Sequence, residues 1–193
     1  MDRLRLVVPD ISRKDEALSY IQEFLDYGSE INGVGSLDRY MNDYEGWLEK
    51  LEVDRTMEPN ENRVPADTYF LVRESDDRII GMINIRHCLN ENLRLIGGHI
   101  GYSVRPTERR KGYNKVNLYL GLLRCQELGI DEVLMDCDAD NLGSARTMQA
   151  LGGRLVREWY EPNIYKTVLQ DYVIDVDESV KTYRKVYEPM TYR

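Results

Sequence analysis

The chain has 193 residues, 42% of them hydrophobic, which is the length of one domain with enough apolar side chains for a substantial core. Its formal net charge of -8 and pI near 4.9 give an acidic surface that argues against nucleic acid and anionic lipid as partners. No apolar run approaches membrane-spanning length, and two histidines with three scattered cysteines show no metal-site spacing, so no metal is expected. Cys88, Cys125 and Cys137 read as reduced thiols, and with no leader-like opening segment the expected location is cytoplasmic.

In chain order, Leu4–Val8 reads as a strand ended by Pro9, and Ser12 with Asp15 as the cap of a first helix. Ala17, Leu18, Ile21, Phe24 and Leu25 give that helix its apolar face. Gly28 to Ser36 is loose and glycine-bearing, suited to lining a ligand site. A second helix is expected from Leu37 to Leu51, then a polar surface loop from Glu58 to Asp67. Thr68–Arg73, Ile79–Cys88 and Leu93–Val104 read as a strand meander turning at Ser75–Arg78 and Asn90–Asn92. A helix follows, then a strand at Glu132–Cys137 expected parallel to the last one. Next come a helix at Leu142–Leu151 stopped by Gly152–Gly153, and strands at Arg154–Trp159 and Lys166–Ile174. The pattern predicts an α/β fold with a mixed, mostly antiparallel central sheet flanked by helices. Residues 1–174 form a single domain, and residues 175–193 an extension packing on the body or on a second copy in a homodimer.

The most informative stretch joins the third meander strand to the long helix. Pro106 ends the strand, and Arg109-Arg110-Lys111-Gly112-Tyr113-Asn114 leads into Val116, Tyr119, Leu120, Leu123 and Leu128 at helical spacing. A strand, a glycine-bearing turn and a helix start present free backbone N–H groups to an anion. Here the turn also concentrates Arg105, Arg109, Arg110, Lys111 and Lys115 in an acidic protein. Phosphate-loop and dinucleotide fingerprints are absent.

These six residues resemble the coenzyme A diphosphate loop of the GNAT superfamily of N-acetyltransferases, with Arg109 at its first position and Gly112 at its glycine. Asn114 departs from the small residue of that pattern. The flanks agree with the resemblance. Gly98-His99-Ile100-Gly101-Tyr102-Ser103-Val104 is similar to the strand that serves the pantetheine arm, and Cys137 to Ser144, closed by Gly152–Gly153, to the cofactor-side strand, asparagine and helix. The detailed likeness covers roughly residues 68–160, with the cofactor half at about 93–160.

The resemblance implies an enzyme using acetyl-CoA as acetyl donor, with a primary amine of a small molecule or peptide attacking the thioester through a tetrahedral intermediate. The rival reading is a non-catalytic acyl-CoA-binding sensor or assembly protein. Val104, Arg109, Arg110, Lys111, Gly112, Tyr113, Asn114, Asn141 and Ser144 are the expected cofactor contacts, with helix capping the alternative, compatible role for Asn141. Many members carry a tyrosine seven residues after the asparagine, where this chain has Met148. His99 is the first candidate base, because imidazole titrates in the useful range, and Tyr102 the second active-site residue. Strand alternation sets His99 opposite Tyr102 unless a bulge intervenes at Gly101. The acceptor is expected between Gly28–Ser36, the Glu58–Asp67 loop and the sheet.

Overall fold

A computed structural model describes residues 2–192. Four strands, β1 (Leu4–Val7), β2 (Ala66–Arg73), β3 (Ile79–Arg86) and β4 (Ile100–Val104), form one antiparallel sheet in chain order. Three more, β5 (Glu132–Asp138), β6 (Arg154–Glu161) and β7 (Thr167–Asp175), form a second in the order β5-β7-β6. Helices α1 (Lys14–Asp26) and α2 (Tyr44–Thr56) cover one face; α4 (Tyr113–Glu127), α5 (Leu142–Gln149) and α6 (Val176–Tyr187) cover the other. A short α3 (Glu91–Leu95) precedes β4.

Strand alternation explains the two cores. Phe70, Val72 and Met82 pack with Tyr20, Phe24 and Trp47, while Tyr69, Leu71 and Ile83 pack with Val116, Tyr119 and Leu122. β2 is therefore buried on both faces almost throughout. No helix among the described residues is long and apolar enough to cross a membrane.

Several boundaries differ from the sequence reading for local chemical reasons. Asp10, not Ser12, caps the first helical turn, its carboxylate accepting from the Ser12 N–H. The segment expected as one helix from Leu37 is a single 3₁₀ turn followed by α2, because Asp43 caps a new start at Gly46. Asn90 likewise caps α3 through the Leu93 N–H, so β4 begins at Ile100 rather than Leu93. The tail forms α6, whose Tyr187 stacks on Tyr119 of α4 at 5.6 Å, so its aromatic side chains serve this chain's own core.

The decisive feature is where β4 and β5 meet. They share no ladder. At His99 the backbone N–H donates to the Leu134 carbonyl (2.7 Å), and Nδ1 accepts from the Leu134 N–H (3.0 Å). Beyond this clip the strands separate into different sheets, correcting the expected parallel pair. Gly98 permits the approach: it has φ +55°, and a Cβ there would lie 2.2 Å from the Leu134 oxygen.

Candidate active site

The gap between β4 and β5 opens into a cleft of about 800 Å³, lined at one end by the basic turn and at the other by the Gly28–Ser36 segment and β5. The hydrogen-bonded pairs of β3 and β4 fall at His99 and Arg105, so Ile100, Tyr102 and Val104 aim their backbone groups away from β3, into the gap. An exposed strand edge of this kind can pair with an amide-bearing arm.

At the turn, Arg110 has φ +65° and Gly112 φ +84°, and α4 starts without a side-chain cap. The N–H groups of Arg110 through Asn114 meet no acceptor among the described residues. Five successive free donors at a helix start fit a diphosphate. Gly112 has open space where a side chain would be. Arg110, Asn114 and Lys115 line the cleft, as does Arg146 from α5, which the sequence reading missed.

Other expected cofactor residues contribute less than their side chains suggested. Lys111 is held by Glu108 at 2.8 Å and lies outside the lining. Tyr113 turns its ring inward, its hydroxyl donating to Asp2 (2.5 Å) and receiving from Arg73 (3.3 Å), so only its backbone is available to a ligand. Arg109 lies over the Phe24 ring and donates to Ser29 Oγ (3.1 Å) and the Val104 carbonyl (3.3 Å), bracing the cleft wall.

Asn141 lines the cleft and caps α5, accepting from the Ser144 N–H at 3.1 Å. Ser144 Oγ lies 2.9 Å from the Tyr102 hydroxyl. Burial raises the pKa of Tyr102 and pushes that of Cys137 up to about 11, so both are protonated at neutral pH. Met148 is fully buried in the core and offers nothing to the cleft. The Tyr102–Ser144 pair supplies hydroxyls there instead.

His99 does not join these residues. It is absent from the cleft lining, its Nδ1 is taken by Leu134, and burial, followed by Arg94, lowers its pKa to about 4. β4 has no register shift at Gly101 that would turn it inward. The structure thus sets the expected base outside the cleft lining, as a hydrogen-bonded clip between strands.

The carboxylate that the geometry does bring into the cleft is that of Asp136. Val133, Met135 and Cys137 face the α4–α5 core, so alternation turns Leu134, Asp136 and Asp138 to the other face of β5. One Asp136 oxygen accepts from the Gly97 N–H at 2.6 Å, and burial raises its pKa above the usual 3.8. The available signal was an acidic residue flanked on both sides by apolar ones within the strand, Met135-Asp136-Cys137. Asp138, Glu30 and Tyr165 stand nearby, and Ser29, Asn32 and Gly33 complete the wall. The Glu58–Asp67 loop, expected here, contributes nothing to the lining.

A sheet parted between two strands, a donor-rich turn below one and a carboxylate on the other define an acyl-CoA-type acyltransferase site. Sequence comparison agrees: residues 5–154 match the model of the acetyltransferase (GNAT) domain, and the chain belongs to that family of acetyl-CoA-dependent N-acetyltransferases. A search of curated proteins gives no match. Among solved structures, the ribosomal-protein-S5-alanine acetyltransferase from Vibrio fischeri superposes with a TM-score of 0.68 at 16% identity, covering 92% of this chain and 96% of the other. The microcin C7 self-immunity acetyltransferase MccE, solved with acetyl-CoA and AMP, gives 0.67 at 16% identity over 91% and 93%. The ribosomal L7/L12 α-N-protein acetyltransferase RimL, solved with coenzyme A, gives 0.66 at 13% identity over 91% and 95%. At these identities the likeness establishes the fold.

Proposed function

We propose that this protein transfers the acetyl group of acetyl-CoA to a primary amine of a small molecule or peptide by direct attack. The observation that carries the reading is that one cleft joins five free N–H donors to a desolvated carboxylate, Asp136, across an exposed β4 edge. Acetyl-CoA supplies the activated thioester. Arg110 to Asn114 hold its diphosphate through backbone N–H groups, with Arg110, Lys115 and Arg146 adding charge. The outward backbone of Ile100, Tyr102 and Val104 pairs with the amide-bearing arm.

Asp136 takes a proton from the acceptor ammonium, since only the free amine has a lone pair. The free amine attacks the thioester carbonyl, forming the N–C bond of a tetrahedral intermediate that collapses as the C–S bond breaks. The Val104 N–H, facing the gap, donates to the carbonyl oxygen as negative charge grows there. The second proton of the attacking amine is lost as the amide forms and passes through the Tyr102–Ser144 hydroxyl pair, 2.9 Å apart, to the departing sulfur, so each hydroxyl ends as it began. His99 holds β4 and β5 in register at the point where they part.

Calorimetric titration with acetyl-CoA, followed by thiol release against an amine panel, tests the reading. Asp136→Asn should bind acetyl-CoA like the wild type and lose roughly 100-fold or more in kcat/KM. Ser144→Ala and Tyr102→Phe should each lower kcat with little change in the acceptor KM. The burial of Met148 favours the rival, a non-catalytic acyl-CoA binder. Binding without release over a broad panel would select that rival.

A further inference from the structure

One cation in the cleft forms no ion pair among the described residues. Arg86, the last residue of β3, is mostly buried and lines the acceptor side. Its Nη1 donates to the carbonyls of Gly97 (2.8 Å) and Gly98 (2.7 Å). These neutral groups fix the guanidinium in place without balancing its charge. Arg13, Arg73 and Arg105, comparably sheltered, each meet a carboxylate. Arg86 forms no ion pair among the described residues, and Asp136 acts on it only through space. Its Nε and Nη2 have no acceptor among those residues, which leaves one forked face of the guanidinium open. Guanidinium stays charged even when buried, and a sheltered charge demands an anion.

The surroundings say where that anion comes from. Gly97 links the two charged groups, its carbonyl accepting from Arg86 and its N–H donating to Asp136. Glu30 and Asp138 add negative charge on the same side. A cationic amine is thus drawn to within one backbone unit of an unbalanced cation. A ligand with both signs on a short skeleton meets both requirements.

Resting on the transfer reading above, we propose that the acceptor is a small zwitterionic amine, an amino acid or close analogue, whose carboxylate pairs with the open face of Arg86 while its amine lies beside Asp136. Arg86 is then the specificity residue of the acceptor site, and the planar match of guanidinium to carboxylate makes the pair selective.

The test is thiol release from acetyl-CoA with matched sets of acceptors: glycine, β-alanine, glutamate and lysine, each beside its amide and its decarboxylated amine. Wild-type kcat/KM should favour the carboxylate-bearing member of at least one set by roughly 10- to 100-fold, carried by KM. Arg86→Gln should erase that preference without moving the KM for acetyl-CoA, and Arg86→Lys should restore part of it. Amides or decarboxylated amines used as well as the acids by the wild type would overturn the proposal and leave acetyl transfer standing, with amides pointing to a peptide amino terminus. Release with no member of any set, by protein that binds acetyl-CoA, would overturn the transfer reading and this inference with it. The wild-type comparison decides even if the Arg86 variants fail to fold.

Discussion

Replacing Gly98 by alanine attacks the cleft at the point where β4 and β5 part. The new methyl would lie 2.2 Å from the Leu134 oxygen and 2.7 Å from its carbonyl carbon, both backbone atoms that cannot swing aside. The backbone there has φ +55°, which costs an alanine about 1 kcal/mol. Relieving the overlap pushes β5 away and breaks both His99–Leu134 hydrogen bonds, each contributing about 1 kcal/mol. The expected loss is about 3 kcal/mol, or a fall of roughly 6–12 °C in Tm for a domain of this size. Because Asp136 lies two residues beyond Leu134, kcat/KM should fall roughly 100-fold even where the protein remains folded. Gly112→Ala is the comparison: its φ is +84° but nothing lies within 4 Å of the added carbon, so about 1 kcal/mol is the expected cost. Thermal unfolding by circular dichroism and steady-state thiol release read both variants. Equal Tm values for the two, with activity retained in Gly98→Ala, would refute the reasoning.

Three further substitutions test the charges around the cleft. Asp136 has a raised pKa, so its ionisation opposes folding above its folded-state value and has no effect below the ordinary 3.8. Asp136→Asn should therefore unfold at a higher temperature than the wild type at pH 7, with the advantage vanishing in acid, while activity falls; a lower Tm at pH 7 would contradict this. His99 has a pKa lowered to about 4 from 6.5, so the unfolded chain binds the proton first and stability should decline as pH falls between those values. The kcat/KM profile should show no His99 step near 6.5, and a step that disappears in His99→Asn would restore histidine as the base. Glu23 ties α1 to the turn before α4, accepting from Arg105 Nη1, the Thr107 N–H and Thr107 Oγ1, each at 2.8 Å. Burial raises its pKa, but these bonds outweigh burial and lower it below 4.5, so its stabilisation is present above that value and lost as pH falls through the folded one. Glu23→Gln leaves Arg105 buried without a charge partner and should cost about 3 kcal/mol in chemical denaturation at pH 7, and much less at acidic pH.

The sequence by itself determined the elements whose signals are local. Near-continuous apolar runs bounded by turns gave β2 and β3, helical spacing after Gly112 gave α4, and Asn141 before a short amphipathic run gave α5. It also pointed to the free donors at the turn, because unpaired N–H groups at a helix start follow from backbone geometry alone. Short side chains that cap were read less well: Asp43 and Asn90 reset the starts of α2 and α3, since one hydrogen bond outweighs weak propensity. Only the tertiary structure decided the chemistry at the far end of the cleft. His99 immediately precedes β4 and Asp136 lies on β5, and the sequence carries no record of which side chain turns to backbone and which to the cavity. The contact of Gly98 with Leu134, between residues far apart in the chain, parts the strands there. That contact turns His99 into a clip, leaves Asp136 facing the cleft and sets Arg86 beside it with no ion pair among the described residues, because each outcome depends on a meeting that no local pattern encodes.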